Sequence, residues 1–250
     1  MSASDPPAKV TSGDRPSLRL FPSREALDAA LAEHLEAILT QPDGGSFAVM
    51  LSGGSTPLPA YRMLAARAPR PAPGLALLYS DDRYVPSSSD ASNYFQTRPL
   101  LDALALPSER VLRVATELSL TDAAADYERR VAQLLDRGSD LRLGLLGLGA
   151  DGHTASLFRP DDLARARGRL ALAVHRPDGR DAVSVTPAVL ARAARLVFVI
   201  AGEDKQKALA ALLRGSSDSI AWRAVRDCAR VEVWTEPRAC PEAAPGVWRT

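Results

Sequence analysis

Asp151 and His153 stand two residues apart in the segment Gly147-Leu148-Gly149-Ala150-Asp151-Gly152-His153-Thr154-Ala155-Ser156-Leu157-Phe158. A carboxylate beside an imidazole fixes its tautomer and favours the imidazolium that forms when a proton is taken, so the pair is a minimal general base. A metal site would need three or four ligands. His34 and His175 lie in segments with no Cys/His cluster, so no bound metal is expected. His34 falls on an apolar helix face and reads as structural, whereas His175 sits in a polar turn and reads as solvated.

The segment Ser52-Gly53-Gly54-Ser55-Thr56-Pro57 suits an anion. Its glycines let the backbone approach a ligand, Ser55 and Thr56 add hydroxyls, and the helix that follows offers N–H groups and a positive dipole end. The spacing matches neither GxxxxGK[ST] nor GxGxxG, which argues against a nucleotide loop and leaves a plain turn as the alternative to a phosphate cradle. In Ser80-Asp81-Asp82-Arg83-Tyr84-Val85-Pro86 a guanidinium among acids can clamp a substrate carboxylate or phosphate, or form only a surface ion pair. Lys205, in Gly202-Glu203-Asp204-Lys205, would add the point charge that phosphate binding often uses.

These loops need elements to hold them. From Ser23, a natural N-cap, Leu27, Leu31, His34, Leu35, Ile38 and Leu39 recur at helical spacing. Apolar runs at Phe47–Leu51, Leu75–Tyr79, Val111–Val114, Leu141–Leu146, Leu170–Val174, Val183–Val185, Leu196–Ile200 and Val231–Trp234 predict strands. Helix patterns follow Pro57, run from about Tyr94 to Leu104 and from Asp122 to Leu135, follow Pro187 briefly, and run from Asp204 to Leu213. Strands apolar throughout and separated by helices predict a doubly wound α/β fold, with a mainly parallel sheet covered on both faces. In such a sheet ligands bind at the carboxyl edge, where all the loops above would fall.

Of the 250 residues 46% are apolar and 24% charged, which excludes disorder as the main state and fits one large domain. Residues 1–16, with almost no large apolar side chain, read as a flexible arm before a single domain at 17–250. Lys and Arg number 31 against 30 Asp and Glu, a net +1 without long runs of one sign, so nucleic acid is not an expected partner. Apolar stretches fall far short of the roughly 20 residues a membrane span needs, and the first residues lack the pattern of a secretory signal. With only Cys228 and Cys240, and no disulfide framework, the expected compartment is the cytoplasm; a monomer or a homodimer fits equally.

Taken together, the segments LSGGSTPLPAYRML, SDDRYVPSSSDASNYFQTRPLL, LGLLGLGADGHTASLF and IAGEDKQKAL resemble the 6-phosphogluconolactonase family from about Ser17 to Trp234. The resemblance implies a Rossmann-like α/β fold shared with glucosamine-6-phosphate deaminases. It also implies a cofactor-free, metal-free enzyme that opens 6-phospho-D-glucono-1,5-lactone to 6-phosphogluconate in the pentose phosphate pathway. On this resemblance Gly53, Gly54, Ser55 and Thr56 form the phosphate loop, Lys205 stands beside it, Asp81 and Arg83 bind substrate, and Asp151 and His153 are catalytic. Two departures stand out: Asp82 replaces the family's Glu, and Ala182 stands where the family has Arg, with Arg180 two residues earlier as a substitute to be tested.

The expected chemistry is proton removal from water by His153 as it attacks the lactone carbonyl, with backbone N–H groups of Gly149–Gly152 as candidate oxyanion donors. The related deaminases place a Glu five residues after the His, where this chain has Phe158. A deaminase or isomerase acting on an amino-sugar phosphate, and a sugar-phosphate-sensing module without catalysis, are the alternatives.

Overall fold

Alternate residues of Phe47–Leu51 are buried in opposite directions. Phe47, Val49 and Leu51 join one apolar cluster and Ala48 and Met50 another, the signature of a strand inside a sheet covered on both sides. The computed structural model describes residues 15–41, 45–241 and the backbone of 248–249. The arm expected at residues 1–16 lies outside the described residues except for Arg15 and Pro16.

In chain order the elements are β1 (Ser17–Leu20), α1 (Arg24–Leu39), β2 (Phe47–Leu51), α2 (Leu58–Ala66), β3 (Leu75–Tyr79), β4 (Asp81–Arg83) and α3 (Asn93–Leu104). They continue with β5 (Val111–Leu112), α4 (Leu120–Asp136), β6 (Asp140–Leu146), α5 (Pro160–Arg165), β7 (Ala171–His175), β8 (Asp181–Val185) and α6 (Pro187–Leu190). The last are β9 (Leu196–Ile200), α7 (Gln206–Leu213), α8 (Ile220–Val225), β10 (Val231–Thr235) and β11 (Trp248–Arg249).

Among the described residues eight strands pair in parallel in the order β11-β1-β10-β9-β6-β2-β3-β5. On one face α1, α2 and α3 pack Leu27, Leu31, Leu35, Tyr61, Leu64 and Leu100 against Val49, Leu77, Leu145 and Val199. On the other, α4, α6, α7 and α8 pack Tyr127, Leu190, Leu209 and Val225 against Met50, Leu78, Phe198 and Val233. Each such buried side chain contributes roughly 1.5–3 kcal/mol, so the two clusters fix the sheet's two faces independently. The expected α/β architecture is present. Ser23 caps α1 as expected, its hydroxyl accepting the Ala26 N–H at 3.2 Å.

The departures from the sequence pattern are local. The strand expected at Val111–Val114 ends at Leu112, and α5 and α8, at six residues each, are too short to show a helical period. β7 and β8 do not join the parallel sheet but form an antiparallel sheet in the order β4-β8-β7. The five residues between β7 and β8, with Gly179 at φ +78°, make a hairpin, and so short a link cannot cross over to a parallel neighbour. β4, in a segment that reads as loop, completes this sheet by pairing Asp81, Asp82 and Arg83 with Ser184, Val183 and Ala182.

Candidate active site

β2, β3, β6 and β9 are the central strands, and the chain leaves β2 toward β3 on one side while β6 and β9 lie on the other. Loops leaving their carboxyl ends converge at that reversal of strand order, where open α/β sheets bind ligands. One cavity of about 340 Å³ opens there, lined by Gly53, Gly54, Ser55, Thr56, Asp81, Arg83, His153 and Lys205, with Asn93 and Arg176. Every sequence-predicted site residue except Asp151 therefore reaches the same space. A second cavity, of about 460 Å³, lies at the opposite edge of the sheet among Arg110, Arg130 and Arg137, and among the described residues no histidine or lysine lines it.

The Gly53–Thr56 loop is built by close approach. A Cβ on Gly53 would lie 1.8 Å from Asn93 Oδ1, and Gly54 adopts φ +91°, a region other residues enter at a cost. Arg24 at the start of α1 braces the loop by donating to the Thr56 carbonyl at 2.8 Å. The Tyr61 hydroxyl donates to the Ser52 carbonyl at 2.9 Å. Residues 57 and 59 at the start of α2 are both proline, so the helix presents fewer N–H groups than a helix N-terminus usually does. The Gly54 N–H donates to Gln96 Oε1 at 3.2 Å. Lys205, from the turn after β9, stands beside the loop with its ammonium 3.0 Å from Asp204.

In the loop that follows β6 the Asp151 carboxylate lies 2.5 Å from His153 Nδ1. A carboxylate accepts, so Nδ1 carries the hydrogen and Nε2 keeps the lone pair of a base. Partial burial works to raise the Asp151 carboxyl, but the hydrogen bond and charge of His153 prevail and hold it below the usual carboxylate value. Gly149 makes room for the pair, since a Cβ there would fall 2.1 Å from His153 Nδ1 and 2.3 Å from Asp151 Oδ1. The imidazole packs on the Phe158 ring, with centroids 4.2 Å apart, and is 24% exposed. Two of the backbone donors expected to serve an oxyanion are committed within the loop, Gly149 N–H to the His153 carbonyl and Gly152 N–H to the Gly149 carbonyl, each at 2.9 Å.

The two neighbouring aspartates do different work. Asp81 faces the cavity, accepting from the Ser156 hydroxyl at 2.6 Å and the Ser80 hydroxyl at 3.0 Å, while its main-chain carbonyl accepts from Asn93. Asp82 points away to the start of α3. It accepts the Asn93 N–H at 2.6 Å, the Tyr94 N–H at 3.2 Å and the Ser92 hydroxyl at 3.0 Å. Burial pushes its carboxyl up to about 6 against the lowering effect of those bonds. The departure from the family's Glu thus falls on a helix-capping position, where the shorter side chain reaches its partners. Arg83, on β4, donates to Asn93 Oδ1 at the cavity wall.

Arg180 does not replace the missing arginine at position 182. Its side chain is 55% exposed, pairs with Asp178, and is not among the cavity-lining residues. Arg176 is, and sequence reasoning assigned no role to it or to Asn93, Gln96 and Arg24. Asn93 follows the N-cap Ser92, a local signal that could have marked it; Arg176 has no such mark.

Three comparisons bear on this site. A family model described as glucosamine-6-phosphate isomerases/6-phosphogluconolactonase matches residues 22–234. The 6-phosphogluconolactonase of a Nostoc species is 32% identical over 217 residues, covering 82% of this chain and 88% of that protein. The chain belongs to the 6-phosphogluconolactonase family. The crystal structure of the 6-phosphogluconolactonase of Thermotoga maritima superposes with a TM-score of 0.75 at 26% identity, covering 89% of this chain and all of that one. A monomeric glucosamine-6-phosphate deaminase shares the fold with a TM-score of 0.74 at 17% identity, covering 89% of this chain and 98% of that one. The lactonase and deaminase branches thus share a backbone, and side chains must separate them.

Proposed function

We infer that this chain hydrolyses 6-phosphogluconolactone to 6-phosphogluconate, with His153 as the general base. The observation that carries this reading is the convergence of the imidazole, the Gly53–Thr56 loop and Lys205 on one cavity. The substrate's phosphate docks on the loop and Lys205, and Arg83 with Asp81 orients the sugar. His153 Nε2 takes a proton from water as the water oxygen bonds to C1, leaving negative charge on the former carbonyl oxygen. That charge collapses to re-form the carbonyl and breaks the bond from C1 to the ring oxygen, which receives the proton back from His153. Asp151 holds the ring and its tautomer throughout. A lactone is an activated ester, so general-base assistance of roughly 10²–10⁴-fold together with positioning suffices without a covalent nucleophile.

The deaminase alternative asks for a proton-exchanging group at position 158, where an aromatic ring packs on the imidazole instead. A sensing module would not require the Asp151–His153 contact. The test is a lactonase assay at mildly acidic pH, where spontaneous opening is slow. Wild type is expected to turn over the lactone and to release no ammonia from glucosamine 6-phosphate. Arg83→Ala and Lys205→Ala should each raise KM; a normal KM in both would remove their assigned roles, and the absence of turnover in wild type would remove the activity itself.

A further inference from the structure

The lactonase reading requires a donor for the charge that develops on the C1 oxygen, and the N–H groups of Gly149 and Gly152 are committed inside their own loop. A guanidinium stands close by. Arg176 leaves the end of β7, where its N–H donates to the Arg180 carbonyl at 2.8 Å and continues the hairpin. Its side chain is only 12% exposed and lines the cavity. The guanidinium carbon lies 5.1 Å from the centroid of Phe158, the ring on which the His153 imidazole packs. Nη1 donates to Ser156 Oγ at 3.2 Å, and that hydroxyl in turn donates to Asp81. Arg176 is thus on the imidazole side of the cavity, between the catalytic loop and the substrate-facing end of β4.

The group is also held in place. Nε and Nη2 both donate to Asp178, at 3.2–3.3 Å, which clamps the guanidinium from the solvent side. A guanidinium has five N–H donors, and these bonds together with the one to Ser156 engage three of them, leaving one hydrogen on each terminal nitrogen. Strand register explains the face it occupies. Val174 of β7 faces Ala182 of β8, and Ala182 faces Arg83 of β4, so side chains at 174, 182 and 83 lie on one face of the antiparallel sheet, and the Arg176 N–H bond to Arg180 carries the alternation on to 176. The residue between them at 182 is a buried alanine.

We propose that Arg176 donates to the C1 oxygen of the lactone, and to the carboxylate that replaces the lactone group in the product. The proposal rests on the lactonase reading above. A fixed donor directed at charge that grows in the transition state contributes to kcat more than to ground-state binding. A product bearing a carboxylate at C1 gains from the same donor, whereas a sugar phosphate with a hydroxyl there does not.

The experiment compares wild type with Arg176→Ala and Arg176→Gln in steady-state lactonase assays, using 6-phosphogluconate and glucitol 6-phosphate as competitive inhibitors. Arg176→Gln keeps a donor toward Ser156 and serves where truncation to alanine unfolds the chain, as checked by thermal melting. The expected result is a loss of roughly 10²–10³-fold in kcat. Inhibition by 6-phosphogluconate should weaken at least tenfold while inhibition by glucitol 6-phosphate stays unchanged. A folded variant with normal kcat, or one in which both inhibitors weaken equally, would overturn the proposal. Absence of lactonase activity in wild type would instead count against the underlying reading, so the two failures are separable.

Discussion

Among the described residues two histidine–aspartate pairs share the same contact distance and have opposite surroundings. His153 Nδ1 lies 2.5 Å from Asp151, and His175 Nδ1 lies 2.5 Å from Asp181. His175 sits at the end of β7 with its side chain 79% exposed, facing the first residue of β8 across the hairpin. His153 packs on Phe158, lines a cavity and shares that cavity with a lysine and a glycine-rich loop. The carboxylate contact therefore does not by itself mark a candidate base. What separates the two pairs is that the His153 ring packs on Phe158 and lines the cavity of the Gly53–Thr56 loop and Lys205.

His153→Ala should break the comparison most sharply, lowering kcat by roughly 10²–10⁴-fold, while His175→Ala leaves it unchanged in the same lactonase assay. Equal effects from the two substitutions would erase the distinction. Next in size, Asp151→Asn should lower kcat on the order of 10–10²-fold by loosening the ring's orientation, with Asp181→Asn as the silent counterpart. Gly149→Ala tests packing rather than chemistry: its new Cβ must displace the imidazole, so kcat falls while the far-ultraviolet circular dichroism stays as in wild type.

The third histidine sharpens the contrast at the small end. His34 packs against Trp234 and accepts from Arg195 through Nε2, so its lone pair is already engaged. Burial first, and then the nearby Arg195 charge, push its pKa down to about 4. Between about 4 and 6.5 the unfolded chain takes up a proton at this residue and the folded chain does not, so stability is lost as pH falls through that window. Asp82, raised to about 6, acts in the opposite sense, favouring the folded state as pH falls from about 6 toward 3.8. His34→Leu removes the first contribution and leaves the second. Its melting temperature should therefore drop less than that of wild type between pH 7 and pH 5, and an identical drop would contradict the assignment.

What could be read in the sequence was whatever depends on near neighbours. Phe47–Leu51, Leu75–Tyr79 and Leu196–Ile200 are apolar throughout because both their faces are covered, and that pattern is written in consecutive residues. The Asp151–His153 contact spans two residues, so it too was visible. β4 was not: three charged residues form a strand only because β8, about a hundred residues away, supplies the partner. Arg176 was hidden for a related reason. Its reach into the cavity follows from the register of β7 with β8 and from a bond to Ser156, twenty residues earlier. The role of Asp82 was open in the sequence, and only the approach of α3 shows it to be a cap.

The amide of Gln96, resting on the N–H of Gly54, has a consequence for turnover. On the reading proposed above, a phosphate that takes this donor displaces the glutamine from it. The Gly54 N–H therefore has a partner within the fold itself, supplied by α3 from 42 residues further along the chain.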